Sequence, residues 1–314
     1  MAASWHSAGA TAPKPGSGAD RRLSYDRSVR LPSPIVLVLI GIVSVQAGAG
    51  VAKSLFDEVS PTVIVWLRLV TSAAVLAAYA RPRLHSRTAN DWLVVLGFGA
   101  SLGLMNLAIY QSFARIPLGI AVTIEFIGPL TLAVVGSRRA RDLLWVGLAG
   151  LGVALLGFER SDLDPVGVLW ALLAGAMWAS YILLSGATGR RWEGLDGLAM
   201  ASVVAAGLLT PLLALSDTAL DEGLGSPHVL LLGAAVGLLS SVVPYSCELV
   251  ALRRLRAATF GILMSLEPAA AALVGIVVLS EFLSPVQWVA VVCVIVASIG
   301  ATRQSGTIAE PVPA

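Results

Sequence analysis

The sequence predicts an all-α integral membrane protein of ten transmembrane helices, arranged as two inverted five-helix repeats. Three observations carry that expectation. The 314-residue chain is 57% hydrophobic and only 13% charged, whereas a soluble domain carries about 25% charged residues. Its apolar residues fall into runs of roughly membrane-spanning length, divided by short charged loops. The run PLGIAVTIEFIGPLTLAVVG around Glu125 also has an echo around Glu267. Aligning Pro129 on Pro268, an offset of 139, brings Arg115 onto Arg254, Ala133 onto Ala272 and Gly136 onto Gly275.

The elements follow in order. Residues 1–33 are polar and rich in Gly, Ser, Pro and Arg, too poor in apolar surface to fold, and read as a disordered cytoplasmic tail. Ten spans come next, near Pro34–Leu55, Pro61–Ala80, Trp92–Phe113, Leu118–Gly136, Leu143–Phe158, Val166–Leu184, Gly197–Leu215, Val229–Leu252, Ala257–Leu279 and Pro285–Ala301. The first repeat is 34–158, the linker 159–165, the second repeat 166–302 and the carboxyl-terminal cytoplasmic tail 303–314. Arginines up to Arg30, an apolar stretch and Ala47-Gly48-Ala49 imitate a cleavable signal peptide. Nine further spans favour an uncleaved anchor.

Orientation follows from Lys and Arg, which stay on the cytoplasmic side. With the amino-terminal tail inside, inner segments hold 17 of the 21 Lys and Arg residues, and outer loops hold only Arg115 and Arg160. The outer loops are acidic, from Asp57 and Glu58 to Glu281. Both termini are therefore placed in the cytoplasm. Five spans per half force the halves into opposite orientations, so Arg115 faces out and its echo Arg254 faces in.

Five ionisable side chains lie inside spans: Lys53, Arg68, Glu125, Glu248 and Glu267. Each costs a few kcal/mol or more facing lipid, so each should meet a cavity or a partner. Residues three, four and seven apart share a helical face. That spacing groups Gln46, Gly50 and Lys53; Asn106 and Tyr110; Trp178, Tyr181 and Ser185; and Ser241, Tyr245 and Glu248. These stripes are candidate walls of a central cavity.

Glu125 reads as a proton-coupling or amine-binding carboxylate, against the rival reading of an acid hydrogen-bonded between helices. Gly128-Pro129 follows it, and proline removes a backbone bond that can open the helix beside the acid. Glu267-Pro268 repeats the arrangement nearer a membrane face, where capping or snorkelling competes with a coupling role. Glu248, near the cytoplasmic end, reads as a structural partner of Arg253 or Arg254. Lys53 and Arg68 are candidate anchors for an anionic group, or cations bridging carbonyls between helices. Trp178 and Tyr181 are a substrate wall or packing aromatics.

Several classes drop out. The two cysteines, Cys247 and Cys293, have no disulfide or metal spacing, and all three histidines lie in the tail or loops, so no cofactor and no metal is expected. Glycines such as Gly97, Gly99 and Gly103 complete no nucleotide fingerprint and read as close helix contacts. No Asp-rich metal motif, HExxH or framed nucleophile supports a membrane enzyme. No nucleic-acid partner is expected.

Four segments carry a resemblance: VQAGAGVAKSLF (Val45–Phe56), RIPLGIAVTIEFIGPLTLAVVGSRR (Arg115–Arg139), VVPYSCELVALRRL (Val242–Leu255) and FGILMSLEPAAAALVG (Phe260–Gly275). They resemble the threonine/homoserine exporter branch of the drug/metabolite transporter superfamily, the EamA-type permeases, over about residues 34–302. EFIGPL and MSLEPA are specific to that branch, whereas ten spans with an arginine in the second is superfamily-wide. The resemblance implies two inverted five-helix repeats, a central cavity and export by proton antiport. The longer amino-terminal tail departs from the pattern.

The expected function is export of small neutral amino acids, threonine- or homoserine-like, across the cytoplasmic (inner) membrane in exchange for protons. A zwitterion needs an anion and a cation together, and Glu125 with Lys53 or Arg68 supplies them. Gln46, Asn106, Tyr110 and Tyr245 offer hydrogen bonds to a substrate hydroxyl. Glu125 and Glu267 are the candidate proton-coupling acids. A permease of the same scaffold for other metabolites or cationic drugs is the alternative.

Overall fold

In the computed structural model the described residues are 32–85, 87–135, 143–158, 163–215, 224, 226–252, 254–255 and 257–304. The predicted tail 1–33 lies outside them except for its last two residues, as do residues 159–162 of the linker and 305–314 of the carboxyl-terminal tail. Among the described residues all regular structure is helical. Eight helices of the described residues are long and apolar enough to cross a membrane, and two shorter apolar stretches, Leu118–Leu132 and Leu143–Leu155, accompany them. This is a multi-pass membrane fold.

Helix starts follow one sequence device. Ser33, Ser60, Asp164 and Ser226 stand as N-caps directly before Pro34, Pro61, Pro165 and Pro227. Proline is suited to the first helical position because its missing N–H needs no partner there, and the Ser or Asp side chain can take a free donor of the first turn. The resulting helices are α1 (Pro34–Ser54), α2 (Pro61–Ala80), α3 (Ala89–Phe113), α4 (Leu118–Glu125), α5 (Ile127–Val135), α6 (Leu143–Phe158), α7 (Pro165–Gly189), α8 (Asp196–Leu215), α9 (Pro227–Gly237), α10 (Val243–Leu252), α11 (Ala257–Met264), α12 (Glu267–Leu279) and α13 (Pro285–Gln304).

Three expected spans are not uniform helices. The fourth breaks at Phe126 into α4 and α5, and the ninth breaks at Ser265-Leu266 into α11 and α12. Each break lies a few residues before a proline, Pro129 or Pro268, which lacks the N–H that would bond back one turn. The eighth carries a π-helical stretch, Leu238–Val242, between α9 and α10. Pro244 follows it, so the carbonyls of Leu239 and Ser240 lose their usual helical donor.

Those two carbonyls are repaired from other helices. Ser44 of α1 donates to Leu239 O at 2.7 Å, and Arg68 of α2 donates through Nη2 to Ser240 O at 3.0 Å. A bilayer offers no water for this, so irregular backbone at membrane depth persists only where protein groups satisfy it.

Packing brings the helices into a definite set of neighbours. α3 lies along α7 and α8, α2 along α8 and α9, and α1 along α10 and α12. α4 packs on α12, α6 on α13, and α7 on both α4 and α5. Where α7 crosses the break, the backbones nearly touch: a Cβ at Gly175 would stand 2.6 Å from Glu125 O, and one at Gly128 would run into the Gly175 carbonyl. Only glycine allows this approach.

Candidate functional site

The helix breaks, the π stretch and the middle of α7 surround a cavity of about 510 Å³, within the range of small-molecule sites. Glu125, the last residue of α4, stands at the wall beside the break, and Phe126 at the break meets Trp178 of α7 edge to face at 5.0 Å. Glu267, the first residue of α12, reaches the same cavity from the second break. Both acids are more than nine-tenths buried from bulk solvent, and neither makes a hydrogen bond or ion pair among the described residues. Glu248 joins them from α10.

Arg68 supplies the positive charge of the cavity wall. Its Nε donates to Ser241 Oγ at 3.3 Å, Nη1 to Tyr110 OH at 3.3 Å and Nη2 to Ser240 O at 3.0 Å. A guanidinium has five N–H donors, so two remain for another acceptor. Held at three points, Arg68 both supports the π stretch and presents its charge to the cavity.

The structure brings most of the predicted site residues together. Gln46, Arg68, Asn106, Glu125, Trp178, Tyr181, Tyr245 and Glu267 all line this cavity. Asn106 donates to Leu102 O at 2.8 Å within its own helix. Gln46 Oε1 is buried without a hydrogen-bond partner. Tyr181 packs on Phe98 at 5.1 Å.

Two predicted site residues lie outside the lining. Tyr110 is fully buried, with its hydroxyl taken by Arg68. Lys53 is paired with Glu281 and donates to Ile116 O at 2.7 Å. The sequence reading gave Glu248 to Arg253 or Arg254; Arg253 lies outside the described residues, and Glu248 makes no ion pair with Arg254. Its stripe with Ser241 and Tyr245 is a candidate cavity wall by helical spacing, and Tyr245 and Glu248 do line the cavity. Phe126, Met105 and Phe260 also line the site and were missed, because apolar residues carry no periodic signal in helices apolar on every face.

Among the described residues there is no group of His, Cys, Asp and Glu that could hold a metal. The compartment is lined, among the described residues, by three carboxylates, one guanidinium and hydrogen-bonding amides and phenols. Its volume and its mix of acids, cation and neutral hydrogen-bonding groups suit a small charged or zwitterionic solute.

Comparison with known proteins identifies the family. The EamA-like transporter family matches residues 165–303. The threonine/homoserine exporter RhtA of Escherichia coli strain K12 is 43% identical over 272 residues, covering 86% of this chain and 91% of that protein. The chain belongs to the EamA-like transporter family. It falls in the threonine/homoserine exporter branch of that family, and the RhtA of Salmonella typhimurium strain LT2 is 42% identical over the same shares of each chain. The uncharacterized transporter YwfM of Bacillus subtilis is 31% identical over 70% of this EamA-like chain and 76% of its own. A solved crystal structure of a protein 19% identical in sequence superposes with a TM-score of 0.58, covering 86% of this chain and 96% of that one. That likeness concerns the fold alone.

Proposed function

We propose that this EamA-like chain is a secondary active transporter that exports small neutral amino acids of the threonine/homoserine kind by proton antiport across the cytoplasmic (inner) membrane. The observation that carries the reading is the meeting of Glu125 and Arg68 in one cavity, the acid without a hydrogen bond or ion pair among the described residues and the guanidinium with two donors beyond its three bonds. The two spare N–H groups suit the carboxylate of an amino acid. Glu125 suits its ammonium group. A buried carboxylate with no protein partner has its charge balanced by a proton or by a bound cation. Exchange of the two at one oxygen pair couples export to proton entry. Gln46, Asn106 and Tyr245 line the same cavity and suit a side-chain hydroxyl.

A two-repeat architecture accounts for alternating access, and the packing supports it. We count α4 with α5 as one span, α9 with α10 as one and α11 with α12 as one. A shift of five spans then carries the third–sixth contact onto the eighth–first, the third–seventh onto the eighth–second and the fourth–sixth onto the ninth–first. The second–seventh, fourth–ninth and fifth–tenth contacts map onto themselves. The sequence offset of 139 also places the start of α4, Leu118, on the start of α11, Ala257, and the break at Phe126 on the break at Ser265. Two five-span repeats, 34–158 and 166–302, explain these coincidences together, and the distribution of Lys and Arg favours opposite orientations with both termini cytoplasmic.

A second reading has its own observation. Among the described residues, three carboxylates and one guanidinium line the cavity, an excess of acid that favours cationic metabolites or drugs over zwitterions. Efflux from proteoliposomes separates the two. Under an imposed proton gradient, labelled threonine and homoserine should move and a cationic dye should not. Movement of the dye alone supports the second reading and removes the first.

A further inference from the structure

Three helices meet at one polar knot that the cavity does not include, on the side that the positive-inside reading makes the outer one. Lys53 is in the last turn of α1, Glu281 follows α12, and Leu118 opens α4. Glu281 pairs with Lys53 through Oε1, and its Oε2 accepts from Leu118 N at 2.8 Å. Lys53 donates to Ile116 O at 2.7 Å. Pro117, the N-cap of α4, makes no side-chain cap hydrogen bond, so Glu281 supplies from a distant span the capping acceptor that the local sequence lacks. The two charged side chains are 16% and 18% exposed.

The cavity itself is weighted to the opposite side. Its lining includes Glu248 near the end of α10, Phe260 and Gly261 near the start of α11, and Thr302 near the end of α13. On the positive-inside reading these are the cytoplasmic ends. Toward the other face the lining includes Phe113 but neither Lys53 nor Glu281.

Resting on the transporter reading above, we propose that Lys53 and Glu281 form the latch of the outer gate, holding α1, α4 and α12 together while the cavity faces the cytoplasm. The residues therefore act on access and not on substrate recognition. Opening to the outside separates Glu281 from Lys53 and from the first turn of α4 at once, so the latch sets how often the outer gate opens. Removing one partner leaves the other charge half-buried and biases the protein away from the latched state.

The test is labelling of the full chain from each side of the membrane. Cys247 and Cys293 are replaced by Ser, a single probe is introduced as Ile109→Cys on the cavity wall, and a membrane-impermeant maleimide is added outside intact cells or to inverted vesicles. With the latch intact, outside labelling should be slow. Glu281→Gln and Lys53→Met should each raise it by roughly tenfold or more. Lys53→Met spares the bond from Leu118 N. Outside rates within twofold of the parent in correctly assembled variants overturn the proposal, as does an acceleration confined to the cytoplasmic side. If either variant fails to assemble, Lys53→Cys with Glu281→Cys joined by a short bifunctional thiol reagent decides. Bridging should abolish outside labelling reversibly, and unchanged labelling after bridging is contrary. Labelling needs no substrate. Rates that respond in a protein that does not move threonine leave the latch standing and remove the cargo assignment.

Discussion

Arg68 Nη2 lies 3.0 Å from the carbonyl oxygen of Ser240, the acceptor that Pro244 leaves without its helical donor. One cation therefore repairs an irregular stretch of a membrane helix and lines the same cavity as Glu125. On the proposed function, structure and transport are coupled at this residue.

Arg68→Lys keeps the charge but cannot reach Ser240 O, Ser241 Oγ and Tyr110 OH together. An unsatisfied buried acceptor costs about 1–3 kcal/mol. The variant should unfold at lower temperature in detergent and lose most threonine efflux, both read on the same purified sample.

Ser44→Ala removes the donor to Leu239 O without touching the cavity lining. It should destabilise by about 1 kcal/mol and leave the apparent affinity for substrate within about twofold, roughly 0.4 kcal/mol. Thermal unfolding and concentration-dependent efflux check the two parts separately.

Gly175→Ala places a Cβ against Glu125 O, at the break that positions the acid. Overpacking of this kind costs about 1–3 kcal/mol, and efflux should fall with stability. Gly150→Ala is the control, since a Cβ there meets nothing within 4 Å, and its unfolding temperature should stay level or rise.

Glu267→Gln tests whether the second acid takes part in coupling. If it does, proton-driven efflux should fall at least tenfold, about 1.4 kcal/mol in the barrier, while folding yield holds. Unchanged coupling assigns Glu267 to the start of α12 as a helix-terminal acid.

Much of this fold was legible because membrane helices announce themselves by length and by their starts. Pro34, Pro61 and Pro285 were read as span starts, and each is the first residue of a helix. The acids at the breaks were legible too, since Glu125 and Glu267 each stand near a proline. What the sequence could not give was partnership across the bundle. Helical spacing grouped Lys53 with Gln46 on one face, but Glu281, its partner, is 228 residues further on in a loop. Tyr110 shares a face with Asn106, yet its hydroxyl bonds to Arg68 on α2. The π stretch before Pro244 was invisible for the same reason: its carbonyls are repaired by Ser44 and Arg68, which no local pattern connects to it.

The most direct test of the central claim, that Glu125 carries either a proton or the substrate's ammonium group, is flux in proteoliposomes under an imposed pH gradient with Glu125→Gln beside the parent. The account predicts that the parent moves threonine against its gradient with counterflow of protons, and that the variant loses proton-driven movement at least a hundredfold, about 2.7 kcal/mol, while remaining folded. Proton-driven threonine movement at the parental rate in Glu125→Gln would contradict it.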